Sequence, residues 1–567
     1  MVQNNKINIP IGAKIIIDAL TAAGFEAYVV GGCVRDSLLS LKPHDWDICT
    51  SATPDEVMRC FQGLKIIETG LKHGTVTIMD GHVGYEVTTF RTDSTYSDNR
   101  HPDSVHFTLS LEEDLARRDF TMNAMAYSDA TGLIDPFGGQ KSLEQRLVTC
   151  VGVPKDRFSE DALRILRALR FSATYDFDIE TQTSEAIHEL SSRLEYISKE
   201  RICSELCRFL LGPGALRVLL EYSDVITTII PELAPCVGFE QKNQYHQYTV
   251  YDHIAHAVSN YAGQDLSVKV ALLLHDIGKP QCYTEDEKGG HFHGHAVPSH
   301  EISKGVLTRL RFDGQTRREV LDLVLYHDAV IEPTPKTVRR WLGKIGEARF
   351  RQLLDVRMAD IKAHREGTQA SRIERCQSLR TILDEVIAQE QCFSLKHLAI
   401  SGKDILALGI PQGKQIGEIL NKILDEVIAG ELVNERPVLL DRTKIIARDV
   451  RDAEEREWWR QYEAYKDFQR EIYRRYQLDW MLNHGMSVTE VGEGVAEEVF
   501  DMCPYEQQDT ASSWAFKLWT QNFKRGEIFA DFDDFLKNEY LDEVYIKKLL
   551  PAEIFSQYLK QIKRWEK

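Results

Sequence analysis

The chain has 567 residues, 43% hydrophobic and 28% charged, a globular composition too long for one core; roughly three to five units are expected. No run approaches the roughly 20 apolar residues of a membrane span, and MVQNNKINIP has no apolar stretch behind a basic start, so neither a membrane partner nor a signal peptide is expected. The formal charge of −18 excludes a nonspecific nucleic-acid coat, which works by neutralising phosphates, but leaves room for an enzyme with a local basic groove. Eleven cysteines without a CxxC pair point to a reducing compartment, and the cytoplasm is the expected location.

Periodicity predicts a helix over Ile11–Ala22, a strand over Ala27–Val30 and a helix over Val34–Leu39. Short β-like runs follow at Trp46–Cys49, Thr75–Met79 and Tyr85–Phe90. The fold class is therefore α+β: a head with a small mixed sheet over residues 1–140, followed by helical units. Glu160–Tyr175 and Lys199–Leu211 carry apolar residues at three-to-four spacing, in a neck spanning 141–230. Nine of the 18 histidines fall between His246 and His327, which marks 231–370 as a distinct domain. A helical body and tail is expected over 371–444, where the glycine-rich turns of Ser401–Gly417 open a final helix. Six of the eight tryptophans fall after residue 450, so 445–567 reads as an accessory aromatic-rich helical module without an assigned role.

Three features carry chemistry in the head. In AYVVGGCVRDSLL a strand runs into Gly31 and Gly32 and then into a helix bearing Arg35; such a turn lets backbone amides approach phosphate, and equally serves as a plain tight turn. In HDWDICT, Asp45 and Asp47 stand two apart at the start of the predicted strand, where period two places both carboxylates on one face, as a hard cation such as Mg²⁺ requires. A third acid, Glu86 in GYEVTTFR, can approach from a neighbouring strand.

Together these features resemble the DNA polymerase β-type nucleotidyltransferase superfamily. EEDLARRDFTMNAMAYS (112–128), SEDALRILRALRFS (159–172) and KERICSEL (199–206) then resemble, in order, motifs of class II CCA-adding enzymes and their bacterial poly(A) polymerase relatives. The resemblance spans residues 10 to about 442. It implies that Asp45 and Asp47 hold two Mg²⁺ ions, with Glu86 as the third catalytic carboxylate. It implies a nucleotide site of Gly31, Gly32, Arg35, Arg118, Asp119, Asn123, Asp161, Arg164 and Arg167. In it Arg118, Asp119 and Asn123 hold the ribose, while Asp161 and Arg164, spaced i, i+3 on one predicted helix face, read the incoming base. The stretch FRTDSTYSDNRHPDSVHF (90–107) resembles the flexible loop of full CCA-adding enzymes, and 402–440 resembles their tRNA-gripping body and tail, with Lys403 and Lys414 offered to phosphate. The implied partners are tRNA, CTP and ATP; poly(A) addition is the alternative.

The histidine-rich stretch resembles an HD domain: His253 in YDHIAHAV, His275 and Asp276 in LLLHDIGKP, and Asp360 in MADIKAH. The resemblance implies a metal site of these four residues, with His295, His300 and His327 as second-metal ligands. Mixed imidazole and carboxylate donors suit Mn²⁺, Ni²⁺ or Co²⁺ and metal-assisted hydrolysis of phosphate esters, on RNA ends in this family. A third reading, an HD phosphohydrolase with a binding-only head, is disfavoured by the intact Asp45, Asp47 and Asp161.

Overall fold

In a computed structural model of the chain, the residues described are 6–93, 105–287, 289–389, 394–410 and 412–449, with single positions at 453, 456 and 460. The head opens with α1 (Ile11–Ala22), which buries Ala13, Ile16, Ile17 and Leu20, the three-to-four spacing of a helix lying on a core. β1 (Ala27–Val30) is buried at all four positions because it runs through the middle of the sheet. It feeds α2 (Gly32–Leu38), β2 (Ile48–Thr50), α3 (Pro54–Cys60), β3 (Lys65–Gly70), β4 (Thr75–Asp80) and β5 (Val83–Thr89). A ribbon of β6 (Arg91–Asp93) and β7 (Val105–Phe107) flanks the loop likened to that of full CCA-adding enzymes; positions 94–104 lie outside the described residues. Beyond α4 (Leu111–Ala116), β8 (Ala126–Ser128) and β9 (Gly132–Ile134) complete a seven-stranded sheet of order β3-β4-β5-β2-β1-β8-β9. β2 and β5 are parallel and the other adjacent pairs antiparallel, so the sheet is mixed.

The neck follows: α5 (Gly139–Gln145), β10 (Leu147–Val148), α6 (Pro154–Glu160), α7 (Leu163–Tyr175), β11 (Asp178–Ile179), α8 (Thr181–Leu190), α9 (Lys199–Leu210), α10 (Ala215–Glu221) and α11 (Ser223–Ile229). It is helical apart from the short parallel pairing of β10 with β11. α7 packs along α9, and this pairing forms the neck side of the first site.

In the histidine-rich region α12 (Val250–Asn260) and α13 (Leu266–Leu274) precede a ribbon of β12 (Thr284–Asp286) and β13 (Gly289–His291). α14 (Ala296–Arg309), α15 (Gly314–Tyr326), α16 (Pro335–Ile345), α17 (Glu347–Lys362) and α18 (Ala370–Ala388) complete the bundle. α13 is buried from Ser267 to Leu274 because α12, α15 and α17 surround it, so the His275–Asp276 pair at its end is delivered into the interior. α18 packs on α16 and α17, so the helix that opens the expected body belongs with the preceding bundle, and the break between compact units falls between His397 and Leu398. The second unit contains α19 (Gly402–Ala407), opened by a Ser401–Asp404 capping box, and α20 (Lys414–Ala429), closed by left-handed Gly430. The accessory module lies outside the described residues apart from its first positions and the three single ones. Among the described residues no helix is long and apolar enough to cross a membrane.

Candidate active site and metal centre

A cavity of about 480 Å³ opens between head and neck, lined by Gly31, Gly32, Arg35, Asp47, Arg117, Arg118, Asp119 and Asn123 from the head and by Asp161, Leu163, Arg164, Arg167, Phe171 and Arg201 from the neck. Gly31 has φ 78° and ψ −125°, so the turn needs glycine on conformational grounds, and a Cβ there, 2.9 Å from Arg118 Nη1, would also displace that guanidinium. Arg118 Nε is buried without a hydrogen-bond partner, a donor left over beside the cavity.

The three head carboxylates are placed unequally. β2 begins at Ile48, so Asp45 and Asp47 precede the strand, and the same-face argument from period two does not apply to them. Asp47 lines the cavity, and the parallel register of Ile48 with Val87 brings Glu86 beside it. Asp45 does not line the cavity; its side chain is 82% exposed and pairs with His44 at 3.0 Å. The Asp47 carboxyl is raised above its ordinary value by loss of solvent, then by Glu86 and more weakly by Asp45, against the opposing pull of Arg118. Mutual repulsion of carboxylates is the condition a divalent cation relieves, so this chemistry fits Mg²⁺, although the tight three-donor groups among the described residues both lie in the histidine centre.

Asp161 and Arg164 do not share a helix. Asp161 terminates α6 in an extended conformation (φ −139°, ψ 103°), and its Oδ1 accepts from the Leu163 N–H at 3.0 Å. Aspartate competes for backbone donors in this way, which splits the predicted Glu160–Tyr175 helix at 161–162. Its Oδ2 is 2.7 Å from Arg201 Nη2, while Arg164 pairs with Glu160 and donates to the Arg117 carbonyl. Both still line the cavity. Arg201 was legible only as part of the KERICSEL segment, and Phe171 and Arg117 only as positions inside their motifs.

Asp119 joins the two halves. It accepts from its neighbour's Phe120 N–H at 2.9 Å, from Asn123 Nδ2 at 3.0 Å and from Arg167 Nε at 2.8 Å. Burial would raise its pKa, yet Arg167 and Asn123 hold it down to about 2.

The second site is a cavity of about 390 Å³ in the helical bundle. His253, His275, Asp276 and Asp360 form one group of potential ligands and Asp276, His295 and His327 a second, sharing Asp276. His275 Nε2 lies 3.1 Å from Asp276 Oδ2, and His295 Nε2 lies 3.1 Å from Asp276 Oδ1, so the two oxygens of one carboxylate face different groups. The Nδ1 atoms of His253, His275, His295 and His327 face the carbonyls of Ala363, Leu272, Phe292 and Val324 at 3.4, 2.7, 2.9 and 2.7 Å. A carbonyl only accepts, so each Nδ1 carries the hydrogen and each Nε2 is turned toward the carboxylates, the support typical of metal-binding imidazoles. His275 Nε2 and Asp276 Oδ2 are buried without an aligned hydrogen bond, which a cation would satisfy. Despite burial, His275 and Lys279 hold the Asp276 carboxyl well below its usual range. Burial would also lower His275, but Asp276 and Asp360 carry it up to about 10, whereas burial holds His253 down to about 4 and lowers His327.

His300 pairs with Glu301 at 3.1 Å and lies outside both groups of potential ligands, so the structure does not bring it together with the other second-metal candidates. Lys279, 2.7 Å from Asp276 Oδ2, and His364, whose Nδ1 faces the Asp360 carbonyl at 2.9 Å, belong to the centre and were not singled out, although Lys279 stands inside the DIGKP signature. In the second unit Lys403 is exposed, and Lys414, also exposed, pairs with Glu418 at 3.1 Å.

Comparison with known proteins bears on the first site. Residues 27–149 match the family model of the poly A polymerase head domain, 176–237 that of the "Probable RNA and SrmB- binding site of polymerase A", and 299–442 a tRNA nucleotidyltransferase domain 2. The CCA-adding enzyme of Ligilactobacillus salivarius (strain UCC118) is 34% identical over 434 residues, covering 76% of this chain and 95% of that protein. The chain belongs to the CCA-adding enzyme family. The CCA-adding enzyme of Pediococcus pentosaceus is likewise 34% identical over 440 residues, covering 77% of this chain and 98% of that one. The crystal structure of Bacillus stearothermophilus CCA-adding enzyme in complex with CTP superposes with a TM-score of 0.59 at 30% identity, covering 78% of this chain and 98% of that chain. As in that family, an α+β polymerase head with a mixed sheet precedes helical domains.

The depressed Asp119 pKa predicts a pH-dependent contribution to stability. A carboxyl lowered on folding stabilises above its unfolded pKa of about 3.9 and loses that contribution as pH falls toward about 2. Asp119→Asn should cost about 2 kcal/mol in urea unfolding between pH 5 and 7. The gap between variant and parent should narrow below pH ~4; a gap independent of pH would contradict the assigned ion pair.

Proposed function

We propose that this CCA-adding enzyme family member completes tRNA 3′ ends from CTP and ATP in the head–neck cavity. The observation that carries this is the convergence on one cavity of the glycine turn, Asp47, the RRDFT residues and the Asp161–Arg164 pair, which lie far apart in the chain. Asp45 and Asp47 would hold Mg²⁺, with Glu86 as the third catalytic carboxylate, and the bound metal would supply activation of the attacking 3′-hydroxyl and charge stabilisation at the leaving pyrophosphate. Gly31 and Gly32 let the chain pass close to the triphosphate, and Arg118 offers its unpartnered N–H. Asn123 and Asp119, with Arg118, border the ribose. Asp161 accepts from the exocyclic amino group of cytosine or adenine, and Arg164 donates to the adjacent ring acceptor; guanine and uracil present the wrong pattern to this pair. Lys403 and Lys414 are proposed phosphate contacts for the tRNA. Free thiols at all nine described cysteines support a cytoplasmic location.

For the histidine centre we propose hydrolysis of phosphate esters. His253, His275, Asp276 and Asp360 would hold one ion, and Asp276, His295 and His327 a second. Mn²⁺, Ni²⁺ or Co²⁺ bound there would generate a hydroxide nucleophile near neutral pH. Lys279 keeps Asp276 ionised and lines the same cavity.

Four outcomes test these readings. With tRNA lacking CCA, the protein should extend the 3′ end by two residues with CTP alone and by three with CTP and ATP; long adenylate tails from ATP alone would favour poly(A) synthesis. In that assay Asp47→Ala should abolish addition while tRNA binding persists, and activity retained within about tenfold, roughly 1.4 kcal/mol of barrier, would remove Asp47 from the chemistry.

Asp161→Ala should slow CTP and ATP addition and admit UTP or GTP, since a good bidentate base contact is worth roughly 1–3 kcal/mol of discrimination. Unchanged selectivity in a four-nucleotide competition would count against this residue as a base reader.

The double substitution His275→Ala with Asp276→Ala should abolish hydrolysis of p-nitrophenyl phosphate or 2′,3′-cyclic nucleotides and spare CCA addition. Loss of addition in a variant whose circular dichroism and melting are unchanged would show that the two centres are coupled.

A further inference from the structure

Arg35 sits at the cavity wall but is committed elsewhere. It is 7% exposed. Its Nε and Nη2 both reach Asp36 Oδ1, at 2.9 and 2.8 Å, and its Nη1 donates to Asn123 Oδ1 at 2.5 Å. The guanidinium lies 5.1 Å from the Phe171 ring centre and 4.9 Å from that of Tyr175, one helical turn apart on α7. The Tyr175 hydroxyl donates to the same Asp36 oxygen at 2.9 Å, so Asp36 is bridged between head and neck.

These contacts close a circuit. Asn123 accepts from Arg35 and donates to Asp119; Asp119 accepts from Arg167; Arg167 and Phe171 stand on the same face of α7, and Phe171 and Tyr175 return to Arg35. The Asn123 amide is thereby fixed, with its oxygen on Arg35 and one N–H on Asp119, and a single N–H remains for a ligand.

We propose that Arg35, Asp36 and Tyr175 form a positioning strut that sets the distance and orientation between the glycine turn, where phosphate binds, and the base-reading end of α7, and that Arg35 is not itself a phosphate ligand. The proposal rests on the head–neck cavity being the nucleotidyl-transfer site. Loosening the strut shifts the reacting phosphate relative to a correctly read base, so it slows the chemical step and blurs base choice while leaving triphosphate affinity nearly intact. A direct phosphate ligand behaves in the opposite way: its loss weakens binding first.

The test uses the full chain with Tyr175→Phe, which keeps the ring and removes the hydroxyl, Asp36→Asn, and their combination. Single-turnover CTP and ATP addition, equilibrium CTP binding and UTP misincorporation are measured, with melting temperatures as a check on folding. Each single variant should slow saturated addition by about tenfold and raise the UTP-to-CTP ratio, with CTP affinity within about twofold. The double variant should be no slower than the worse single one, because both changes break one bridge. Arg35→Lys, which keeps the charge but cannot form the bidentate and stacked contacts, should behave like them. Normal addition by the parent together with parent-like rates and selectivity in both single variants overturns the strut alone. Weakened CTP binding with an unchanged saturated rate in Arg35→Lys makes Arg35 a phosphate ligand and overturns it too. A parent that adds no nucleotide to tRNA overturns the functional reading itself, and the strut falls with it.

Discussion

The ion pair between Asp119 and Arg167 is a charge kept in a place nearly closed to water. Asp119 is 9% exposed and survives as a carboxylate because Arg167, Asn123 and the Phe120 N–H all donate to it. Buried pairs of this kind add little net stability over apolar packing, but removing one partner leaves the other charge poorly compensated. What the pair supplies is registration. Arg167 belongs to a neck helix and Asp119 to a head turn, and Glu205 on α9 takes the other side of Arg167 at 3.8 Å. The cavity exists because these three segments are held at fixed separations.

The two centres meet the problem of concentrated charge by different routes. In the head, Asp47 is crowded by Glu86 and Asp45, and the frustration is left unresolved by protein donors except for Arg118. Oxygen-only donors of this kind suit a hard cation such as Mg²⁺, which keeps waters and phosphate oxygens among its ligands. In the bundle, His275, His295 and His327 are oriented by carbonyls three residues earlier and His253 by that of Ala363, and α13 carries His275 and Asp276 out of the apolar run Val270–Leu274. A site so prearranged suits a resident transition metal, and the backbone carbonyls that orient it lie outside the head–neck joint.

Much of this was legible because it depends on local periodicity. β1 and α1 occur where a short apolar run and helical spacing place them, and the ordered motifs fall on the cavity wall. The failures have physical causes. Asp161 was assigned to a helix because its flanks are strongly helical; a single aspartate capping the Leu163 N–H outcompetes that tendency, and its partner became Arg201, 40 residues on, rather than Arg164. β8 and β9 contain three residues each, too few for alternation to register, and they form because β8 pairs on the edge of β1 and β9 on that of β8. His300 and His327 looked alike in a histidine-rich stretch; only tertiary packing turns His327 toward Asp276, at 3.7 Å, and leaves His300 with Glu301. Asp45 was paired with Asp47 by strand geometry that begins only at Ile48.

The overall charge and the site charge must be considered together. A chain of net charge −18 repels RNA at long range, yet six arginines, Arg35, Arg117, Arg118, Arg164, Arg167 and Arg201, line one cavity with three aspartates. Screening over roughly 8–10 Å at physiological salt isolates that cavity from the acidic exterior. Several of the arginines are also occupied: Arg35 by Asp36, Arg167 by Asp119, Arg201 by Asp161 and Arg164 by Glu160. The cavity is therefore positive without being a loose cationic sink, and an anion gains entry only by fitting donors whose directions the carboxylates have already set. Selectivity for one kind of triphosphate then comes from the rigidity of these pairs rather than from the sum of their charges. That explains how an acidic protein can work on a polyanion: attraction is confined to the place where geometry is tested.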